Sequence, residues 1–375
     1  MEKPKVRISV RNLVEFILRS GDLDNSRGSS GDKEAMLKGG RLHRKIQRSM
    51  KGNYQAEVSL KRESEYEDTI IQVEGRADGI FTEDGEVWID EIKGTYGNLQ
   101  AMEMPVPVHR AQAMCYGWIY GEKEGLSQIG IQMTYSHLDT EDTRRFREIF
   151  SMEELKKWYQ ELLDAYHKWI AYSLSWKKER NASMTDLQFP FPYREGQREI
   201  VSGVYHTVSS KKTLFVQAPT GVGKTMSAIF PSVRAIGEGK GETLFYLTAK
   251  TITGTVAWEA FHTLRENGLK FKVTAITAKE KLCFLDSPEC TPEKCPYAKG
   301  HFDRVNDAVY ELWTTEEVYS REVIRAHAEK WQVCPFEMCL DLSVWVDGVI
   351  CDYNYAFDPN VHLKRFFGEN ISGDY

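Results

Sequence analysis

"GRADGIFTEDGEVWIDEIKGT", residues 75–95, is the stretch whose reading decides the fold. It reads as two strands joined by the turn "TEDGE". A half-buried hairpin should alternate apolar and polar positions, yet this one carries Asp78, Glu91 and Lys93. The two-residue period of a strand puts Val87, Ile89, Glu91 and Lys93 on one face. Clustered acids repel unless a cation lies between them, and Mg²⁺ or Mn²⁺ prefers such oxygen ligands. A lysine beside the ion can orient or deprotonate water, or offset charge developing on a phosphate. The pattern D-x(12)-E-x-K therefore has a chemical reason. A solvated surface hairpin with a Lys–Glu pair is the plainer reading of the same spacing.

The chain of 375 residues is long enough for two domains, and its 41% hydrophobic and 12% aromatic content can build real cores. No apolar run approaches the roughly 18 residues that a membrane span needs. The opening "MEKPKVRISV" lacks an apolar signal segment, so the expected compartment is the cytoplasm. A net charge of −6 does not advertise a nucleic-acid binder, but local patches rather than net charge decide that. Of 7 cysteines, those at 283, 290, 295, 334 and 339 cluster. In a reducing compartment such clustering points to a metal site more than to disulfides.

Residues 10–50 read as helical, followed by the strands "QAEVSLKRE", "TIIQVEGRADGIF" and "VWIDEIKG". A helix is expected at about 107–121, then strands at "IGIQMTYSHL" and "RRFREIF", then a long amphipathic helix at about 152–180. The polar "KKERNASMTD" reads as a linker. From Phe189 the pattern becomes βαβ, which argues for a parallel sheet: "TLFVQAP" as a buried strand, a Gly-rich turn, a helix, then "TLFYLTAK", a helix and "FKVTAIT". A Cys-containing insertion follows, and "DGVICDYNY" supplies a further strand.

Two features flank the hairpin: "GGRLH" with His43, and "QAMCY" with Gln112 and Tyr116. With D-x(12)-E-x-K between them, residues 40–120 resemble the RecB-like branch of the PD-(D/E)XK nucleases. The resemblance implies that Asp78 and Glu91 hold metal with His43, that Lys93 is catalytic, and that Gln112 supports the site or contacts DNA. On a helical wheel His43 shares the face of Leu42, Ile46 and Met50, which suits a core histidine as well as an inward-reaching ligand. The opposite face carries Arg41, Arg44, Lys45, Arg48 and Lys51, and reads as solvated or as a phosphate contact.

"QAPTGVGKT" fits a P-loop, with Ala218 where glycine is commoner. The backbone of Thr220, Gly221, Val222, Gly223, Lys224 and Thr225 would cradle phosphates, Lys224 would reach the β/γ-phosphates of ATP, and Thr225 would bind Mg²⁺. A bare Gly-rich turn is the alternative. "FPFPYREGQREI" resembles the adenine-reading Q motif of superfamily 2 helicases, which gives Gln197 the base and Phe191 or Tyr193 a stacking role. "LTAKTITG" resembles their motif Ia. Asp352 ends an apolar run, as a Mg²⁺-binding Walker B aspartate should. The following Tyr353-Asn354-Tyr355 departs from D-E-A-H, leaves no general-base glutamate and resembles DinG-like members of the XPD family.

That resemblance also gives the cysteines a role. Cys283, Cys290, Cys295 and Cys334 lie between motif Ia and Walker B, where XPD/DinG-like helicases bind a [4Fe–4S] cluster. A Cys₄ zinc site would use the same thiolates. Cys339 is the expected spare, and Cys115 and Cys351 read as buried thiols.

The expected fold class is α/β: a PD-(D/E)XK α/β/α core at 1–181, a linker at 182–188, and a RecA-like P-loop lobe at 189–375 with the iron–sulfur insertion at about 281–340. The expected activity is an ATP-dependent DNA helicase with an attached Mg²⁺- or Mn²⁺-dependent nuclease, acting on single-stranded or branched DNA in repair. The motifs of a second motor lobe do not occur in this sequence. The alternative is a non-catalytic DNA-binding module with a degenerate nuclease fold.

Overall fold

The computed structural model describes residues 3–25, 33–50, 52–249, 251–358 and 361–367. Lys51 of the basic helix face and Lys250 of the motif Ia stretch lie outside them. The chain divides into two compact units: Met1–Ser20 with Asn25–Ala171, and Gly21–Asp24 with Tyr172–Tyr375. Both mix helices with sheets that contain parallel strands. Among the described residues no helix is long and apolar enough to cross a membrane.

Unit 1 runs β1 (Lys5–Ser9), α1 (Val10–Ile17), α2 (Lys33–Ser49), β2 (Gln55–Glu65), β3 (Ile70–Glu83), β4 (Glu86–Thr95), α3 (Pro107–Glu124), β5 (Gln128–His137), β6 (Thr143–Ser151) and the start of α4 (Met152–Thr185). Its sheet has the order β1-β3-β4-β5-β6, with β2 also on β3. β3 and β4 form the antiparallel hairpin read from the sequence, whereas β4 and β5 are parallel. A parallel pair needs a crossover, and α3 supplies it. Strand β4 is central and buried on both faces from Trp88 to Ile92. That is why its acids sit in an apolar frame of Ile89, Ile92 and Ile131.

Ser9 ends β1 and caps α1, its hydroxyl accepting from the Asn12 N–H at 3.0 Å. Pro107 stands in the first turn of α3, and Gly125 closes that helix in the left-handed region at φ 67°.

Unit 2 contains the end of α4, then α5 (Gln197–Ser209), α6 (Lys224–Gly237), β7 (Leu244–Thr248), α7 (Thr251–Glu266), β8 (Val273–Ala275), α8 (Lys279–Leu282), α9 (His301–Thr315), β9 (Val318–Tyr319), α10 (Arg321–Trp331), α11 (Pro335–Leu342), β10 (Gly348–Asp352), α12 (Asn354–Phe357) and α13 (Lys364–Phe367). Its sheet order is β7-β10-β8-β9, all parallel. The core packs Ile229, Phe230 and Val233 of α6 with Phe261 and Leu264 of α7 and with Phe271, Val273 and Ile350.

Two expectations need correction. The linker is helical as far as Thr185. Its polar composition misleads because Arg180 is buried, paired with Asp347 at 2.8 Å, and Met184 is buried in the core. Trp176 also donates to Asp347, at 2.8 Å. Second, "TLFVQAP" is not a strand: 212–219 has no regular structure, and Phe215 is 93% exposed. β7 is a sheet edge, and among the described residues no strand pairs with this segment. An extended stretch without a partner has no ladder to hold it. The Cys-rich insertion adds a strand to the sheet, its β9 pairing with β8.

Candidate functional site

In unit 1 the hairpin opens at its acids. The β3–β4 pairing runs from Glu83↔Glu86 to Gly79↔Asp90. At the next position the Asp78 carboxylate accepts the Ile92 N–H at 2.7 Å. The side chain thus satisfies a donor that the backbone ladder leaves. The cleft beside it, about 490 Å³, is lined by His43, Asp78, Glu91, Lys93 and Gln112, the residues expected from sequence, and by Tyr116.

Each has a definite place. Lys93 Nζ lies 2.8 Å from a Glu91 carboxylate oxygen and donates to Gln112 Oε1 at 2.8 Å. Gln112 is buried, so it fixes the lysine from behind. Leu42 and Ile46 of α2 pack on Ile92, which sets the helix and places His43 Nδ1 3.6 Å from Asp78 Oδ1. Burial alone would lower the His43 pKa, but Asp78 and Glu91 outweigh it and the net shift is upward. Glu91 is pushed up to about 7, by burial first and by Asp78 second. Its Oε2 is buried without a hydrogen-bond partner.

Such an orphaned carboxylate oxygen is costly in a metal-free protein. Two carboxylates and an imidazole also form a donor set suited to Mg²⁺ or Mn²⁺. Among the described residues no three His, Cys, Asp or Glu are arranged to hold a metal as they stand.

Sequence reasoning missed Arg11, Glu57 and Arg76, which also line this cleft, together with Arg44. Arg76 carried a signal: two residues before Asp78 on one strand, it shares that residue's face. Arg11 comes from α1 and Glu57 from β2, and no local pattern links them to the hairpin. Glu57 has a positive φ of 58° and pairs with Arg76 at 2.6 Å. Gln47 donates both to Glu57 and to the Asp78 carbonyl, at 2.9 Å each.

In unit 2, Gly223 (φ 76°) caps α6 and Gly221 (φ 86°) shapes the loop before it, so Lys224 and Thr225 begin the helix, as a P-loop requires. Lys224 Nζ donates to the Ala218 and Pro219 carbonyls at 3.0 and 2.7 Å. Tyr246 of β7 donates to Thr225 Oγ1 at 3.3 Å. Gln197 is buried against the loop: a Cβ on Gly223 would come within 2.6 Å of its Nε2. Thr220 and Val222 complete the loop. Asp352 ends β10 beside Thr248 of β7 and accepts the Asn354 N–H at 2.9 Å. Tyr193 stacks on Phe189 at 4.4 Å, whereas Phe191 is half exposed.

Cys283, Cys290, Cys295 and Cys334 line a single hollow with Leu23, Ala298 and Pro335. Cys339 stays outside it, with its sulfur 3.7 Å from Thr274 Oγ1. Arg325 holds the Cys283 turn by donating to the Leu282 and Cys283 carbonyls at 2.6 and 2.7 Å. Without a metal, burial lifts the Cys334 thiol to about 11. Four thiols around one apolar hollow are the donor type that iron–sulfur clusters take, although as they stand no three of them are arranged to hold a metal.

No family model matches the chain. A stretch of 47 residues is 40% identical to a probable ATP-dependent helicase of Methanocaldococcus jannaschii, covering 12% of this chain and 7% of that protein. The crystal structure of SSO0001 aligns over 44% of this chain and 78% of its own, with 20% identity and a TM-score of 0.29.

Proposed function

We propose that the chain combines metal-dependent cleavage of DNA in unit 1 with the ATP-binding lobe of an XPD/DinG-type helicase in unit 2, and that unit 2 carries a [4Fe–4S] cluster. One observation carries the nuclease reading: Glu91, with a buried unpartnered oxygen, lines one cleft with Asp78, His43 and Lys93. Asp78, Glu91 and His43 would hold Mg²⁺ or Mn²⁺, and the bound ion would activate water and offset phosphate charge. Lys93, fixed between Glu91 and Gln112, presents a positive charge to the scissile phosphate. Arg11, Arg44 and Arg76 line the same cleft and suit the flanking phosphates. Gln112 acts through Lys93 as a positioning residue.

The helicase reading draws on the 47-residue similarity and on the glycine-capped start of α6 at Lys224. Lys224 and Thr225 would meet the nucleotide phosphates and their Mg²⁺, Asp352 would share that ion, and Gln197 would read the base.

The test is cleavage of labelled single-stranded DNA. Activity is expected with Mn²⁺ or Mg²⁺ and none with EDTA, and Lys93→Ala should lower the rate by about 10²-fold or more. Gln112→Ala should lower it less. Cleavage that survives EDTA, or survives in Asp78→Ala, would falsify the assignment. No cleavage with either metal would favour a binding module.

A further inference from the structure

Gly21–Asp24 belongs to unit 2, although its chain neighbours on both sides belong to unit 1. It lies along the start of α9 and the turn before it. The Leu23 N–H donates to the Ala298 carbonyl at 2.8 Å. The Gly300 N–H donates to Asp22 Oδ1 at 2.6 Å, and the Phe302 N–H donates to the Gly21 carbonyl at 3.0 Å. In return Asp303 Oδ1 accepts the Gly21 N–H at 2.8 Å. The first N–H groups of a helix have no partner within it. Here a segment distant in sequence supplies two acceptors around that end, and Asp303 reaches back as the glutamate of a capping box does.

This cap lies beside the cysteines. Cys295 donates to the Thr291 carbonyl at 2.9 Å, and its own carbonyl accepts the Ala298 N–H at 3.0 Å. His301, the first residue of α9, accepts the Cys334 N–H on Nδ1 at 3.2 Å. The Leu23 side chain is 7% exposed and packs with Cys295, Ala298 and Cys334.

We infer that Gly21–Asp24 is a structural part of the cluster site, with Leu23 as the apolar lid of the cysteine hollow and Asp22 fixing the turn that presents Cys295. The inference rests on the iron–sulfur reading above. Solvent exposure tunes such clusters and opens them to loss, so a lid that excludes water sets both lifetime and potential.

The experiment uses the full chain, purified without oxygen. Iron and sulfide are counted, and the loss of visible absorbance is followed in air and with a chelator. Leu23→Ser should bleach about tenfold faster than wild type, the scale on which supporting residues affect metal sites. Leu23→Met should restore the lifetime. The Leu23→Ser cluster should also show a reduction potential shifted upward, because water stabilises the more negative reduced form. A purely structural role would not move the potential. Asp22→Ala removes an acceptor without opening the core, and should bleach faster even if Leu23→Ser does not fold. Equal lifetimes in Leu23→Ser and wild type, or in Asp22→Ala and wild type, would overturn the lid. A wild-type chain without iron would instead overturn the cluster reading itself.

Discussion

The acids of the hairpin rest on a hydrogen-bond network around the buried Asp90. Tyr54 stands just ahead of β2 and donates to Asp90 Oδ2 at 3.1 Å, beneath the acid pair. Asp90 also accepts from Thr134 and Gln132, at 2.6 and 3.0 Å, and is buried. These partners come from two other places in the chain, Tyr54 ahead of β2 and strand β5, and pairing at that distance leaves no local pattern. Gly79 makes the arrangement possible, since a Cβ there would fall on the Tyr54 ring. Gly79→Ala should therefore lower stability by about 1–3 kcal/mol through overpacking. Tyr54→Phe should cost about 1 kcal/mol through the lost hydrogen bond. Urea unfolding measures both. In the double variant Gly79→Ala, Tyr54→Ala the new Cβ meets less, so it should cost less than the sum of the Gly79→Ala and Tyr54→Ala single variants. Full additivity would mean that the ring does not occupy the space facing Gly79.

Among the elements, the strands of unit 1 were placed well, whereas the apolar run "TLFVQAP" finds no strand partner among the described residues and is not a strand. The errors fell where tertiary partners override composition. The end of α4 looked solvated, yet it is tied into unit 2 by Arg180, Trp176 and Asp347. Lys272, just before β8, extends this network and is 1% exposed. Its ammonium donates to the Trp313 and Glu316 carbonyls, at 2.6 and 2.5 Å, and lies 4.4 Å from the Trp176 ring. It thereby serves the carbonyls at the C-terminal end of α9. Burial nevertheless lowers its pKa from 10.5 to about 8. Between those values the unfolded chain binds more protons than the folded one, so this group makes stability rise with pH through that window. Below about pH 8 both states hold the proton, and above 10.5 neither does. Lys272→Met should lose this rise, which is worth no more than about 3 kcal/mol. Thermal unfolding of both proteins from pH 7.5 to 10.5 measures the difference. Parallel curves would refute it.

At the scale of the whole molecule, the change from hairpin chemistry to βαβ rhythm announced two units, and the chain divides into two. The boundary itself was hidden because a continuous helix, α4, runs through it between Ala171 and Tyr172. The glycine-shaped turn before α6 was legible from glycine spacing, but the partners of its lysine were not: Lys224 rests on the carbonyls of its own loop. A nucleotide must displace those two bonds, so ATP binding by this chain should be weak and Mg²⁺-dependent. Lys224→Ala should weaken it further, by about tenfold or more, as expected for one charge-assisted hydrogen bond to phosphate. Titration with a fluorescent ATP analogue reads the change. Equal affinity in the variant would mean that the loop does not grip phosphate.

The segment ahead of that loop has a consequence for the protein in concentrated solution. Leu214, Phe215 and Val216 are 41%, 93% and 45% exposed, adjacent, uncharged and rich in strand-forming side chains, on a backbone with no ladder. A short stretch of this kind is an adhesive template for its own copies, which can stack on it edge to edge. Light scattering from the purified chain should therefore begin at a lower concentration than its charge would suggest. Phe215→Lys, a gatekeeper in the middle of the template, should raise that threshold while leaving the helix content of the chain unchanged.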